Sequence, residues 1–245
     1  MMSKSAIQYI CSACGAKVPQ MLGRCPVCGE WGTIEEEVAT SSKLRVESVE
    51  FRGKDKPTRL QEVVATEDMR LDMHCGELNR VLGGGLVPGS LVLLGGEPGI
   101  GKSTLALQVL MQLEGVKTLY ASGEESARQI RLRAERLAGN PKDLFLLSET
   151  SLERILAAVE EIQPQVVVVD SIQTVGTESA EATIGSLSQV KECAARILQF
   201  AKETNIPFIL IGHINKEGSL AGPKVLEHIV DTVLQFEGDQ HYMYR

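Results

Sequence analysis

The 245 residues are 43% hydrophobic and 23% charged, enough for one sizeable α/β domain with a small appendage and ordinary for a globular protein. The formal net charge of −7 excludes a surface coated in positive charge for nucleic acid, while leaving room for a local basic site. No stretch approaches the roughly 18 apolar residues of a membrane span, and MMSKSAIQYI lacks the apolar run of a signal peptide, so a cytoplasmic protein without a membrane partner is expected.

Residues 1–34 come first and contain Cys11-x2-Cys14 and Cys25-x2-Cys28, each pair followed directly by a glycine, Gly15 or Gly29. In a reducing compartment such pairs favour metal over disulfides. Four thiolates surround one Zn²⁺ tetrahedrally and leave no open position, so a structural zinc finger is expected. A module this small buries too little to fold alone, and the metal supplies its folding energy. Trp31 either packs against this knuckle or offers a stacking surface, with packing the weightier role for a large indole. Lys4, Lys17 and Arg24 against Glu30 give residues 1–34 a net +2. The module reads as a recognition element, contacting DNA through those cations or recruiting a protein partner. Residues 35–58 are polar and charged and read as a linker.

From Arg59 to Arg245 apolar strands alternate with amphipathic helices. A short helix is expected over Gly76–Leu82, before the turn GGGLVPGS, then a strand over Ser90–Leu94 and a helix over Lys102–Glu114. A strand at Lys117–Ala121 and an arginine-rich helix at Glu125–Ala138 follow. After a strand at Leu144–Leu147, Thr150 with Glu153 three residues on matches a capping box. Leu152, Ile155, Leu156 and Val159 then hold helical spacing. Strands at Gln165–Asp170, Pro207–Gly212 and Asp231–Phe236 bracket a helix marked by Leu187, Val190, Ile197, Leu198 and Ala201. Strands separated by helices imply a mostly parallel sheet covered on both faces, an α/β fold. Cys193 reads as a small core residue. Cys75 lacks a ligand partner, and His74 beside it reads as local packing.

Gly96-Glu97-Pro98-Gly99-Ile100-Gly101-Lys102-Ser103 fits GxxxxGK[ST], and Thr104 continues it. It follows an apolar strand and opens a helix, where backbone N–H groups and the helix dipole favour phosphate. Lys102 should reach the β- and γ-phosphates of ATP, and Ser103 should ligate Mg²⁺. Asp170 ends the hydrophobic strand QVVVVD at the carboxyl edge and is the second magnesium contact. Hydrolysis also needs a base. Ser171 rather than Glu follows Asp170, so the base is sought in YASGEES, where Glu124 is preferred and Glu125 is the fallback.

In this order, these elements resemble the RecA-type P-loop ATPase core. With CSACG…CPVCGEWGT, ELNRVLGGGLVPGSLVLLGGEPGIGKSTL, YASGEES, VVVVDSIQT and GHINKEGSLAGPKVLEHIVDTVLQFEGD, the chain is similar to the RadA/Sms family of bacterial DNA-repair ATPases over nearly its whole length. The resemblance implies DNA-dependent ATP hydrolysis, a hexameric ring, and a motor driving branch migration on single-stranded or branched DNA during recombinational repair. It implies that Glu124 is the catalytic carboxylate, Asp170 the Walker B acid, and His213 a γ-phosphate sensor. It also implies two DNA-facing loops, Thr174–Gln189 and Asn215–His228, the second with Lys216 and Lys224 among glycines. Ile184 stands where the family's proline is expected. Family members continue past HYMYR into a KNRFG motif and a Lon-protease-like domain, so this chain is expected to be part of a longer architecture. Two other readings remain: a nucleotide-gated DNA or protein binding module without motor activity, and a RecA-like signalling ATPase or kinase acting on protein.

Overall fold

The computed structural model describes residues 8–14, 16–37, 59–62, 70–137, 141–180, 182–213 and 226–238. They belong to two compact units, Met1–Val64 and Ala65–Arg245.

In the first unit, β1 (Gln8–Cys11), β2 (Lys17–Val18) and β3 (Ile34–Glu37) form an antiparallel ribbon in the order β2-β1-β3. The register pairs Cys11 with Ile34 and Tyr9 with Val18. Strand β3 crosses the boundary expected at residue 34 and brings Glu35, Glu36 and Glu37 into the ribbon. Residues 1–37 therefore hold three cations (Lys4, Lys17, Arg24) against four acids, a net −1 rather than +2. Trp31 is 74% exposed, so the expected packing is not found. Its ring instead lies 5.7 Å below the Arg24 guanidinium.

In the second unit, six strands form one sheet: β4 (Leu91–Gly96), β5 (Thr118–Ser122), β6 (Leu144–Ser148), β7 (Val166–Asp170), β8 (Phe208–His213) and β9 (Thr232–Phe236). Their order is β6-β5-β7-β8-β4-β9, and every pairing is parallel. The helices are α1 (Gly76–Val81), α2 (Lys102–Gln112), α3 (Ala127–Arg136), α4 (Leu152–Ile162) and α5 (Leu187–Thr204). Alternation along the strands sorts the core into two layers. Leu93, Leu119, Val167, Val169, Phe208 and Leu210 pack with α4 and α5. Val92, Leu94, Tyr120, Val166, Val168 and Ile211 pack with α2 and α3. Both faces are dry, which is why β7 reads VVVVD with no alternation. Among the described residues no helix is long and apolar enough to cross a membrane.

Two local expectations are corrected. The cap of α4 is Ser151, not Thr150; its hydroxyl accepts from the Arg154 N–H. Glu153 is turned instead toward Arg196 and Thr177. Helix α3 begins at Ala127, not Glu125, because Ser126 and Gln129 close a capping box ahead of it.

Candidate nucleotide site and metal centre

Parallel register brings the carboxyl ends of β4, β5, β7 and β8 to one edge: Gly96 lies beside His213, and Ser122 beside Asp170. Residues 97–101 leave that edge as a loop, with Glu97, Pro98 and Gly99 exposed and Ile100 half-buried. Gly99 and Gly101 take φ of 74° and 115°, left-handed values that a side chain resists. Gly101 caps α2 without a side-chain partner, so the first-turn N–H groups stand ready for phosphate oxygens. Ser103 and Thr104 sit half-buried in that turn.

Lys102 is 3% exposed, and its Nζ donates to the carbonyls of Gly96 (2.8 Å) and Glu97 (2.9 Å). Burial pulls its pKa below the ordinary lysine value, against the opposing charges of Asp170 and Glu124. Nζ also lies 3.3 Å from His213 Nδ1, and His213 Nε2 lies 3.3 Å from Glu124 Oε1. An ammonium only donates, so Nδ1 accepts and the ring proton sits on Nε2, donating to Glu124. Lysine, histidine and glutamate thus form one chain of contacts.

Asp170 is 4% exposed, and its Oδ2 accepts from the Tyr120 hydroxyl at 2.5 Å. Burial, then the Asp170 charge, raises the Tyr120 pKa well above that of a free phenol, so the tyrosine stays a donor. No hydrogen bond to Asp170 Oδ1 occurs among the described residues, and with the Ser103 hydroxyl it makes a hard oxygen donor set suited to Mg²⁺.

The two adjacent glutamates diverge. Glu124 Oε1 accepts from the Ser171 hydroxyl at 2.5 Å. Glu125 is ion-paired with Arg133 of α3. Ser122 Oγ accepts from both their backbone N–H groups, at 3.3 and 3.0 Å, which sets the turn that separates them. Gly123, just before them, has no room for a Cβ, which would collide with Thr174 Oγ1.

Of the two expected DNA loops, Lys216 and Lys224 lie outside the described residues. Thr174–Gln189 is tied down at its base: Gln189 is 3% exposed, accepts from the Thr177 N–H, and donates to the carbonyls of Thr177, Ala180 and Ala182. Its charged residues are Glu178 and Glu181, so it has no cation for phosphates. Ile184 covers Gly176, where a Cβ would come within 2.6 Å of Ile184 Cγ1.

In the ribbon, Cys11 and Cys28 Sγ are 3.7 Å apart, as are those of Cys14 and Cys25, and all four lie within 4.8 Å of one another. Tetrahedral zinc with bonds of about 2.3 Å requires sulfur separations of about 3.8 Å, so the four thiols fit the ion. The Thr33 hydroxyl, 3.2 Å away, pulls the Cys11 pKa down, while Cys14 and Cys28, partly desolvated and crowded by the other thiols, are pushed up. Cys193 is fully buried, as expected. Cys75 caps α1 and packs against the core, while His74 pairs, among the described residues, with Asp72.

The AAA domain family model matches residues 55–219. The chain belongs to the AAA domain family. The rubredoxin metal binding domain matches residues 9–36, the ribbon just described. DNA repair protein RadA of Bacillus subtilis (strain 168) is 48% identical over 100% of this chain and 54% of its own length. RadA of Listeria monocytogenes is 45% identical over 99% of this chain and 54% of its own. The chain therefore spans about half the length of the curated relatives it matches. A KaiC-like protein of Pyrococcus horikoshii OT3 superposes with a TM-score of 0.52 over 71% of this chain and 83% of that one, at 19% identity. That likeness concerns the fold alone: the AAA domain here is a RecA-like parallel α/β core.

Tyr120 and Ser171 were not singled out as site residues from the sequence. Each reaches its partner across about fifty positions, and only the β5–β7 register brings them together.

Proposed function

We propose that this chain carries the ATPase of a DNA-repair protein, hydrolysing ATP in response to DNA during recombinational repair and driving branch migration. The carrying observation is the meeting, at one sheet edge, of the phosphate-loop lysine, a buried aspartate and a glutamate held by Ser171 and His213. Lys102 exchanges its carbonyl partners for β- and γ-phosphate oxygens, while the loop and first-turn N–H groups bind the remaining oxygens. Ser103 and Asp170 hold Mg²⁺, which neutralises phosphate charge when bound. Glu124 takes the proton of the attacking water as its oxygen bonds to the γ-phosphorus. The β,γ-bridging bond breaks, and ADP leaves with the electron pair. His213, touching both Lys102 and Glu124, registers the γ-phosphate.

Similarity to RadA proteins over the full chain supports DNA as the partner. Lys216 and Lys224 are the proposed phosphate contacts, in a hexameric ring on single-stranded or branched DNA in the cytoplasm. The four-cysteine ribbon holds structural zinc, and its net −1 favours a protein partner over DNA there. The test is ATP hydrolysis with and without single-stranded DNA, at low and moderate salt. Several-fold stimulation that salt removes supports the motor. Turnover indifferent to DNA, in the full-length protein, favours a nucleotide-gated binding module. The Lys102–His213–Glu124 chain supports that second reading too, since it links the phosphate loop to the end of β8.

A further inference from the structure

We infer that Ser171 is a positioning residue that aims the Glu124 carboxylate, an inference that rests on the ATPase reading above. Ser171 is fully buried, yet its side chain is spent on one contact, the 2.5 Å hydrogen bond to Glu124 Oε1. The same Oε1 is 3.3 Å from His213 Nε2. Both donors thus converge on one oxygen, and Oε2 has no hydrogen bond among the described residues. A carboxylate pinned by one oxygen presents the other in a fixed direction, which is what a group accepting a proton from a positioned water requires.

The surroundings fix the serine in turn. Its carbonyl accepts from the Thr174 hydroxyl at 2.8 Å and the Thr174 N–H at 3.1 Å. Thr174 itself fills the space left by the missing side chain of Gly123, immediately before Glu124. Loop and glutamate are therefore packed together: the 3₁₀ turn Ile172–Thr174 follows β7, the glutamate follows β5, and Thr174 sits against the bare backbone of Gly123. Glu124 is substantially exposed, with side-chain accessibility of 42%, so without the serine the longer histidine contact is its one side-chain hydrogen bond among the described residues. The residue after the buried aspartate then has a definite chemical task. A carboxylate at that place would repel Glu124, whereas a short hydroxyl donor holds it.

The test is steady-state and single-turnover hydrolysis of γ-labelled ATP by the full-length protein carrying Ser171→Ala, Glu124→Gln, or both. The alanine should lower kcat about 10- to 100-fold while leaving the ATP KM, and fluorescent ADP affinity, within about twofold. Retained nucleotide affinity also reports that the variant is folded. Because Ser171 acts through Glu124, the double variant should be no slower than Glu124→Gln alone. Ser171→Cys, a weaker donor, should give an intermediate kcat. Unchanged kcat in Ser171→Ala overturns the inference, as does a further equal loss on the Glu124→Gln background. Full turnover by Glu124→Gln itself would instead sink the parent assignment of the base, so the two failures are distinguishable.

Discussion

Among the described residues, the second unit has a cluster of twenty buried hydrophobic side chains on one face of its sheet and of sixteen on the other, the strands' own included. Among its described residues the ribbon buries only Cys11, Val18, Cys25 and Ile34, and two of those four belong to the four-cysteine cluster. The core domain thus derives its stability from area removed from water, at about 25 cal/mol per Å². The ribbon has no comparable source and must draw on the four thiolates. The pattern repeats in what each unit leaves exposed. The core gathers Lys102, Glu124, Asp170 and His213 at one sheet edge, while the small ribbon leaves Met21, Val27 and Trp31 uncovered around its cysteines. A large hydrophobic interior can hold strained or buried polar groups in place. A metal knot can hold little beyond itself.

The largest effect that separates them is metal removal. Zinc binding to small structural sites supplies on the order of 10 kcal/mol. Chelation, or Cys28→Ser, should therefore abolish ordered structure in residues 8–37 while the core keeps its melting temperature. Hydrogen exchange read by mass spectrometry checks both halves at once. Equal loss of protection in β4 and β8 would break the comparison. Next is Lys102→Ala, expected to reduce ATP turnover about a thousandfold by removing a cation from the phosphates. Zinc content, by elemental analysis, should stay at one per chain. A smaller effect is expected from Leu210→Ala on the buried strand β8, costing about 3 kcal/mol through lost burial and a residual cavity. Truncating Met21, 68% exposed in the ribbon, should cost less than about 0.5 kcal/mol. Chemical denaturation midpoints compare the two.

The difference between the units also governs what their sequence reveals. Cysteine spacing and the phosphate loop are local patterns, so Cys11, Cys14, Cys25, Cys28 and Lys102 are legible directly. Asp170 is nearly as plain, because a run of valines ending in a single acid marks a buried strand reaching the sheet edge. Choosing between Glu124 and Glu125 needs more. A carboxylate at a helix start is a reasonable use for Glu125, but the Ser126–Gln129 capping box starts α3 after it, and Arg133 claims its side chain. The box was visible in the sequence; the ion pair was not. Thr150 and Ser151 are both competent caps, and the choice between them is tied to Glu153, whose partner Arg196 lies 43 residues on. Of the two roles open to Trp31, the exposed one fits its 74% exposure: with four side chains buried among the described residues of the ribbon, there is little interior for an indole to enter.

That Glu153 contact supplies a further modest effect, one that pH should switch. Its carboxylate accepts from the Thr177 hydroxyl and from Arg196, both at 2.6 Å, beneath the loop that follows β7. Burial opposes the charge, but the Thr177 hydrogen bond and then the Arg196 contacts outweigh it and hold the pKa down to about 2. A folded-state value below the unfolded one stabilises the protein above the unfolded pKa of about 4.5, and the gain is lost as pH falls toward 2. Glu153 and Arg196 are each about one-third exposed, so solvent screening reduces the contribution to about 1 kcal/mol. Glu153→Gln should therefore be less stable than the parent by that amount at pH 7, and the two should converge near pH 2. Denaturant titrations at several pH values measure the gap. A gap of constant size from pH 7 to pH 2 would mean that shape rather than charge holds this loop, and that the core's polar anchors, like the rest of its interior, act mainly through packing.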